Sequence, residues 1–219
     1  LAAFISANPN AMSSLTLLNA SRFPLDALSS ITERLLVLSG DAGLAGEAMQ
    51  HARPHVSGAE IVEFSDYDAA IWTDMAADHA DRIAQTMLEF LARQNHTRPA
   101  TQLAGAERQG SAGGITFKIT GEGPAVLLFP AMIAPSQWNP IVDRLAKNYA
   151  VVRLGGPHLG AVAIFEDRGS DPSYRRVLRG MLHDARVCST DHLLEVGCGT
   201  GVISRWLARE RLCATPVTA

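Results

Sequence analysis

Apolar and polar positions follow two rhythms along this chain, and their alternation predicts its elements. Arg34 to Asp41 holds a continuous apolar run, Leu35 to Leu38, closed by Ser-Gly-Asp. Such a run suits a parallel strand covered on both faces and followed by a turn. Gly43 to Arg53 has helical character, and Ala59 to Phe64 alternates like a second strand. Asp78 to Ala92 places Ile83, Met87, Leu88 and Leu91 on one helical face. Strand, helix, strand, helix is the order of a parallel sheet segment.

Gln94 to Gly114 is polar, rich in Ala, Gly, Thr and Gln, and has no sustained period. It reads as a linker or mobile loop. Beyond it, Ile115 to Ile119 and Ala125 to Phe129 read as strands, separated by the turn Gly121-Glu122-Gly123-Pro124. Pro135 to Asn148 reads as a helix with Trp138, Ile141, Val142 and Leu145 on one side, Trp138 as a core anchor. Tyr149 to Leu154 is a further strand, ended by Gly155-Gly156-Pro157. A helix from Pro172 to Val187 has its proline in the first turn, where the missing N–H costs nothing. The fold class expected is α/β, with incomplete parallel-sheet segments.

The chemistry is concentrated near the end of the chain. Leu193 to Gly201 reads Leu-Leu-Glu-Val-Gly-Cys-Gly-Thr-Gly, a short apolar strand running into three alternate glycines. Glycines so spaced let the backbone turn sharply and approach a nucleotide without Cβ clashes. Val202 to Glu210 follows with helical spacing, and a next strand is expected near Thr215 to Thr218. The spacing departs from the dinucleotide fingerprint, whose third glycine comes one position later. The motif resembles the first motif of class I S-adenosylmethionine-dependent methyltransferases. That resemblance implies a Rossmann-like start of a methyltransferase domain. It nominates Glu195, Gly197, Gly199 and Gly201 as cofactor-binding residues, with Cys198 and Thr200 as backbone neighbours. In the family the glycine loop passes under the methionine and ribose portions, and the acidic residue helps hold the amino-acid end. The family's second acidic residue, which accepts the ribose hydroxyls, would fall just past Ala219. The expectation is therefore a fragment cut at both ends, inactive by itself, from a longer methyltransferase whose acceptor, catalytic residues and oligomeric state are unknown.

Two other stretches resemble α/β-hydrolases. Residues 31–93 are similar to the last two strands and final helices of that fold, and 121–160 to its early strand–helix–strand. The expected division is a hydrolase-like C-terminal part over 1–93, a linker over 94–114, a hydrolase-like module over 115–170 and a methyltransferase start over 171–219. The alternative function is accordingly an esterase or acyltransferase of that fold, or a non-catalytic hydrolase-like module. The chemistry of hydrolysis is missing from the sequence. No G-x-S-x-G elbow occurs, and Gly156-Pro157-His158-Leu159-Gly160 offers His158 after the wrong strand. The triad acid is expected near Gly43 and the triad histidine near Trp72-Thr73, neither of which fits. Asp41 and His79 as displaced acid and base are better explained as a turn residue and a helix-surface residue.

Composition narrows the rest. Hydrophobic residues make up 47% and charged residues 19%, as in globular proteins. Net charge is −3, and of the basic residues only Lys118 and Lys147 are lysines. Arginine-rich, lysine-poor usage is associated with GC-rich bacteria. No basic cluster marks a nucleic-acid partner, and no apolar run reaches the roughly 18 residues of a membrane span. Cys188, Cys198 and Cys213 are scattered without metal spacing, which suits reduced thiols in a cytoplasm. Asp74, Asp78 and His79, and the pair His51 and His55 around Pro54, are set aside as metal ligands, because two or three scattered donors make no site. Arg175, Arg176, Arg179 and Arg186 give a basic helix face, by default solvated.

Overall fold

A computed structural model describes residues 2–8, 10–69, 72–97, 101–103, 108–129, 135–156, 159, 161–195, 201–210 and 215–218. The chain opens with α1 (Ala2–Ala7), β1 (Leu15–Leu18), α2 (Leu25–Leu28), β2 (Leu35–Gly40), α3 (Gly43–Ala52) and β3 (Glu60–Phe64). These strands form a parallel sheet of order β1-β2-β3, with Leu15 opposite Leu35 and Leu36 opposite Glu60. All six residues of β2 are buried. Its side chains alternate between two cores because successive Cβ atoms point to opposite faces. Leu35 and Val37 join Ile5, Leu28, Ile31, Met49 and Val56. Leu36 and Leu38 join Phe64, Met75, Ile83, Met87, Phe90, Ile141, Leu145 and Val151. An uninterrupted apolar run, legible in the sequence, thus becomes a strand sandwiched by two helical layers. Pro54 ends α3 as expected, leaving a 3₁₀ turn over Arg53–His55.

Next come α4 (Trp72–Asp78) and α5 (Ala80–Thr97), so helix extends beyond the predicted 78–92 at both ends. The predicted linker contains the end of α5 and two short strands, β4 (Gln102–Leu103) and β5 (Gln109–Ala112). With β6 (Ile115–Thr120), β7 (Gly123–Leu128) and, after α6 (Asn139–Leu145), β8 (Ala150–Gly155), they form a five-stranded sheet of order β4-β7-β8-β6-β5. This sheet is mixed, since β7 runs parallel to β8 but antiparallel to β4. A 3₁₀ turn over Pro135–Trp138 precedes α6, whose start is set by Pro140 in its first turn. Trp138 is partly buried against the second core. Gly121 has a φ of 79°, and an added Cβ would lie 2.3 Å from the Ala146 carbonyl oxygen, so the turn requires glycine there.

The last elements are α7 (Ala161–Ser170), α8 (Pro172–Asp184), β9 (His192–Glu195), α9 (Val202–Glu210) and β10 (Thr215–Thr218). β9 and β10 pair in parallel. The fold is mixed α/β. Two compact units form, one of Leu1–Gly110, Lys118–Leu128 and Pro135–Arg153, the other of Ser111–Phe117, Phe129–Ala134 and Leu154–Ala219. Among the described residues no helix is long and apolar enough to cross a membrane.

Candidate functional site

In the second unit, the elements flanking the glycine-rich segment begin with the helix before it. Asp171 caps α8 by accepting from the backbone N–H groups of Ser173 (2.6 Å) and Tyr174 (3.4 Å), with Pro172 in the first turn as predicted. The helix ends at Asp184, three residues earlier than its apolar pattern suggested, and Arg186 turns the chain with a φ of 56°. Cys188 and Asp191 then close a tight turn. The Cys188 N–H donates to Asp191 Oδ2 (2.8 Å), and the Asp191 N–H donates to the Cys188 carbonyl (3.0 Å). That donation from the Cys188 backbone holds the Asp191 carboxyl below its ordinary range, aided by the Cys188 side chain and by His192.

β9 starts directly after this turn and alternates, with His192 and Leu194 exposed and Leu193 and Glu195 half-buried. Leu193 packs with Leu178, Leu182 and Ile203 around Trp206 and Leu207. The strand therefore delivers Glu195 to the same side as α9. Gly201, with a φ of 72°, precedes the helix, and its carbonyl accepts the first helical bond from Arg205 N–H (2.9 Å). Gly169 of α7 lets another helix approach that end of α9, since a Cβ on it would lie 2.2 Å from Val202 Cγ2. Arg205 also donates both ways to the Glu166 carboxylate of α7, at 2.6 and 2.7 Å.

Glu195 meets the first turn of α9. Its Oε2 accepts from the Ser204 backbone N–H (3.1 Å) and from Ser204 Oγ. Ser204 is one of the few buried polar residues, 8% exposed. Its N–H belongs to the first turn of the helix, whose donors have no partner inside the helix. The nominated acid thus sits at the positive end of α9, where a carboxylate is favoured by the helix dipole. Sequence reasoning missed Ser204, although a serine at the third helical position behind a Glu-ending strand was visible.

β10 runs beside β9 with Thr218 opposite Glu195 and Thr215 opposite His192. Of the nominated residues, Glu195 and Gly201 occupy the end of the strand and the start of the helix. Gly197, Cys198, Gly199 and Thr200 lie outside the described residues. The basic face of α8 is partly used internally. Arg175 Nε donates to the Gly169 carbonyl (2.7 Å), and Arg179 donates to Glu210 (2.8 Å) while lying 5.4 Å from the Trp206 ring centre.

In the first unit, the described residues place Asp41 and His79 in structural contacts. Asp41 Oδ1 accepts from the Tyr67 backbone N–H (3.3 Å), which makes it a loop tie. Gly43 has a φ of 62°, and the carboxylate of Asp68 lies where its Cβ would be, 1.8 Å from that point. An acid does reach the position vacant in the sequence, but from the loop after β3. His79 packs its ring against Phe64 (4.8 Å) and Tyr67 (4.7 Å), and its Nε2 has no hydrogen-bond partner among the described residues. The neighbouring carboxylate of Asp78 is taken by the Tyr67 hydroxyl at 2.7 Å. Among the described residues around Asp41 and His79, no serine is hydrogen-bonded to His79 as a nucleophile would be to its base. Among the described residues no group of three or more His, Cys, Asp or Glu could hold a metal ion. The His51 and His55 rings stand 6.3 Å apart, centre to centre.

Fold and site together define a mixed α/β protein that carries a glycine-rich segment between a strand and a helix. No family model, no curated protein and no solved structure matches the chain.

Proposed function

We propose that the chain carries the cofactor-binding start of a class I S-adenosylmethionine-dependent methyltransferase domain, placed after segments of α/β-hydrolase-like character. The observation that carries this reading is the unit β9, glycine-rich segment, α9 and parallel β10, with Glu195 ending the first strand. A ligand of a parallel α/β layer binds outside the carboxyl ends of its strands, and residues 196–200 follow that end of β9 in sequence.

In the reaction proposed for the intact enzyme, a nucleophile on the acceptor attacks the methyl carbon in line with the carbon–sulfur bond. The bound cofactor would supply an activated methyl group and would be released as S-adenosylhomocysteine, and the acceptor would give up a proton. Protein catalysis of such a step is mainly placement of the two reactants and exclusion of water. Glu195 would hold the cationic amine of the cofactor's amino-acid end, and the glycines would admit its adenosyl part. A hydrolase or acyltransferase reading has weaker support, because the chain lacks the nucleophile elbow and His79 packs against rings instead of an acid.

Titration calorimetry of the intact enzyme with S-adenosylhomocysteine tests the proposal. Binding is expected for the wild type and its loss for Gly199→Val, whose branched side chain would obstruct the ligand. Equal binding by the two proteins, or none by the wild type, overturns it.

A further inference from the structure

A buried hydroxyl and a backbone N–H, both of Ser204, converge on one oxygen of the Glu195 carboxylate. We infer that Ser204 is a positioning residue, which sets the Glu195 carboxylate in its ligand-holding orientation before any ligand arrives; this rests on the methyltransferase reading.

A glutamate side chain is free to take many rotamers. Three torsions separate its carboxylate from the backbone, and fixing such a chain costs rotamer entropy. At the end of a four-residue strand, little in the strand itself limits those torsions. Here Oε2 accepts from Ser204 N–H at 3.1 Å and from Ser204 Oγ. Donation to an ionised acceptor is roughly twice as strong as a neutral hydrogen bond. Ser204 is only 8% exposed, so water offers its hydroxyl little competition. Its backbone is held in the helix: it follows Gly201, whose carbonyl is bonded to Arg205 N–H, and it lies beside the Glu166–Arg205 pair. The carboxylate is thus fixed to a rigid element, and a ligand's ammonium meets a group whose ordering is already done. Pre-organisation of this kind raises affinity by lowering the ordering cost of binding.

The role predicts a loss confined to one end of the ligand. Ser204→Ala should weaken S-adenosylhomocysteine about three- to tenfold in calorimetry, the cost of ordering one flexible side chain. Methylthioadenosine, which lacks the amino acid, should bind wild type and variant alike. Ser204→Thr, which keeps the hydroxyl, should restore most of the affinity. Ser204→Cys, similar in size and a poorer donor, should show the same selective loss, and serves should the alanine variant not fold. A serine that merely held the fold would weaken both ligands together. That result, or unchanged S-adenosylhomocysteine binding in the alanine and cysteine variants, overturns the inference while leaving the cofactor reading intact. A wild type that binds neither ligand removes both.

Discussion

Tyr67 shows how much one side chain can tie together. Its backbone N–H donates to Asp41, its hydroxyl donates to Asp78, and its carbonyl lies 2.2 Å from where a Cβ on Gly40 would be. Partial burial, then the bond to Asp78 and the nearby charges of Asp78 and Asp74, push its phenol well above the ordinary tyrosine value. The sign of the pH effect follows. In the unfolded chain the phenol ionises near pH 10, whereas the folded protein holds its proton longer. This contribution to stability is complete below about pH 10 and is lost as pH climbs toward the folded value. Urea unfolding between pH 8 and 11 should show stability falling above about pH 10, and Tyr67→Phe should make that fall shallower. An identical pH slope in the variant would refute the assignment. Nothing in the sequence marked Tyr67, because its partners come from positions 41 and 78 and meet only in the fold.

At the scale of elements, local signals predicted what they physically control. Pro172 and Asp171 start α8, where the carboxylate satisfies two N–H groups that no helical carbonyl reaches. Asp171→Ala should destabilise the protein by about 1 kcal/mol in urea unfolding, and Asp171→Asn by less. A neutral alanine variant would mean that water serves these donors as well. The buried run of β2 was legible for the same reason, since a strand covered on both faces admits few polar residues. The four-residue β1 was not. Leu15-Thr16-Leu17-Leu18 is too short to show a period, and its pairing with Leu35 to Leu38 decides its state. Likewise β4 and β5 lie in polar sequence, where partner strands confer the structure. Ser204 illustrates the limit for the site. The glycines stood out by their spacing and Glu195 by the resemblance that spacing carries, whereas a hydroxyl acting through another side chain stands out only once the fold brings the two together.

Across the whole molecule, burial is unevenly shared. The first unit holds two cores, with β2 contributing alternate side chains to each. Around α9, the cluster has only Trp206 and Leu207 buried among the described residues. Opening free energy follows buried apolar contact, so elements with few such contacts exchange amide protons sooner. Hydrogen exchange should therefore protect β2 and β3 most, with α8 and α9 exchanging well before them. Slower exchange in α9 than in β2 would contradict this ranking. S-adenosylhomocysteine, if bound as proposed, should slow exchange in α9 and leave β2 unchanged.

Asn19 has a consequence of a different kind. It is 6% exposed, with a φ of 46°, and stands one residue past β1. Its amide nitrogen donates to the Ala69 carbonyl (3.1 Å), and its amide oxygen accepts from Gly40 N–H (3.2 Å). One small side chain thereby joins segments about twenty and fifty positions away. Both bonds can be made at once only when the three strands have assembled in their native sequence of neighbours, so a misthreaded sheet would strand this amide unsatisfied. A buried amide left without these partners would cost the fold more than the two bonds themselves return.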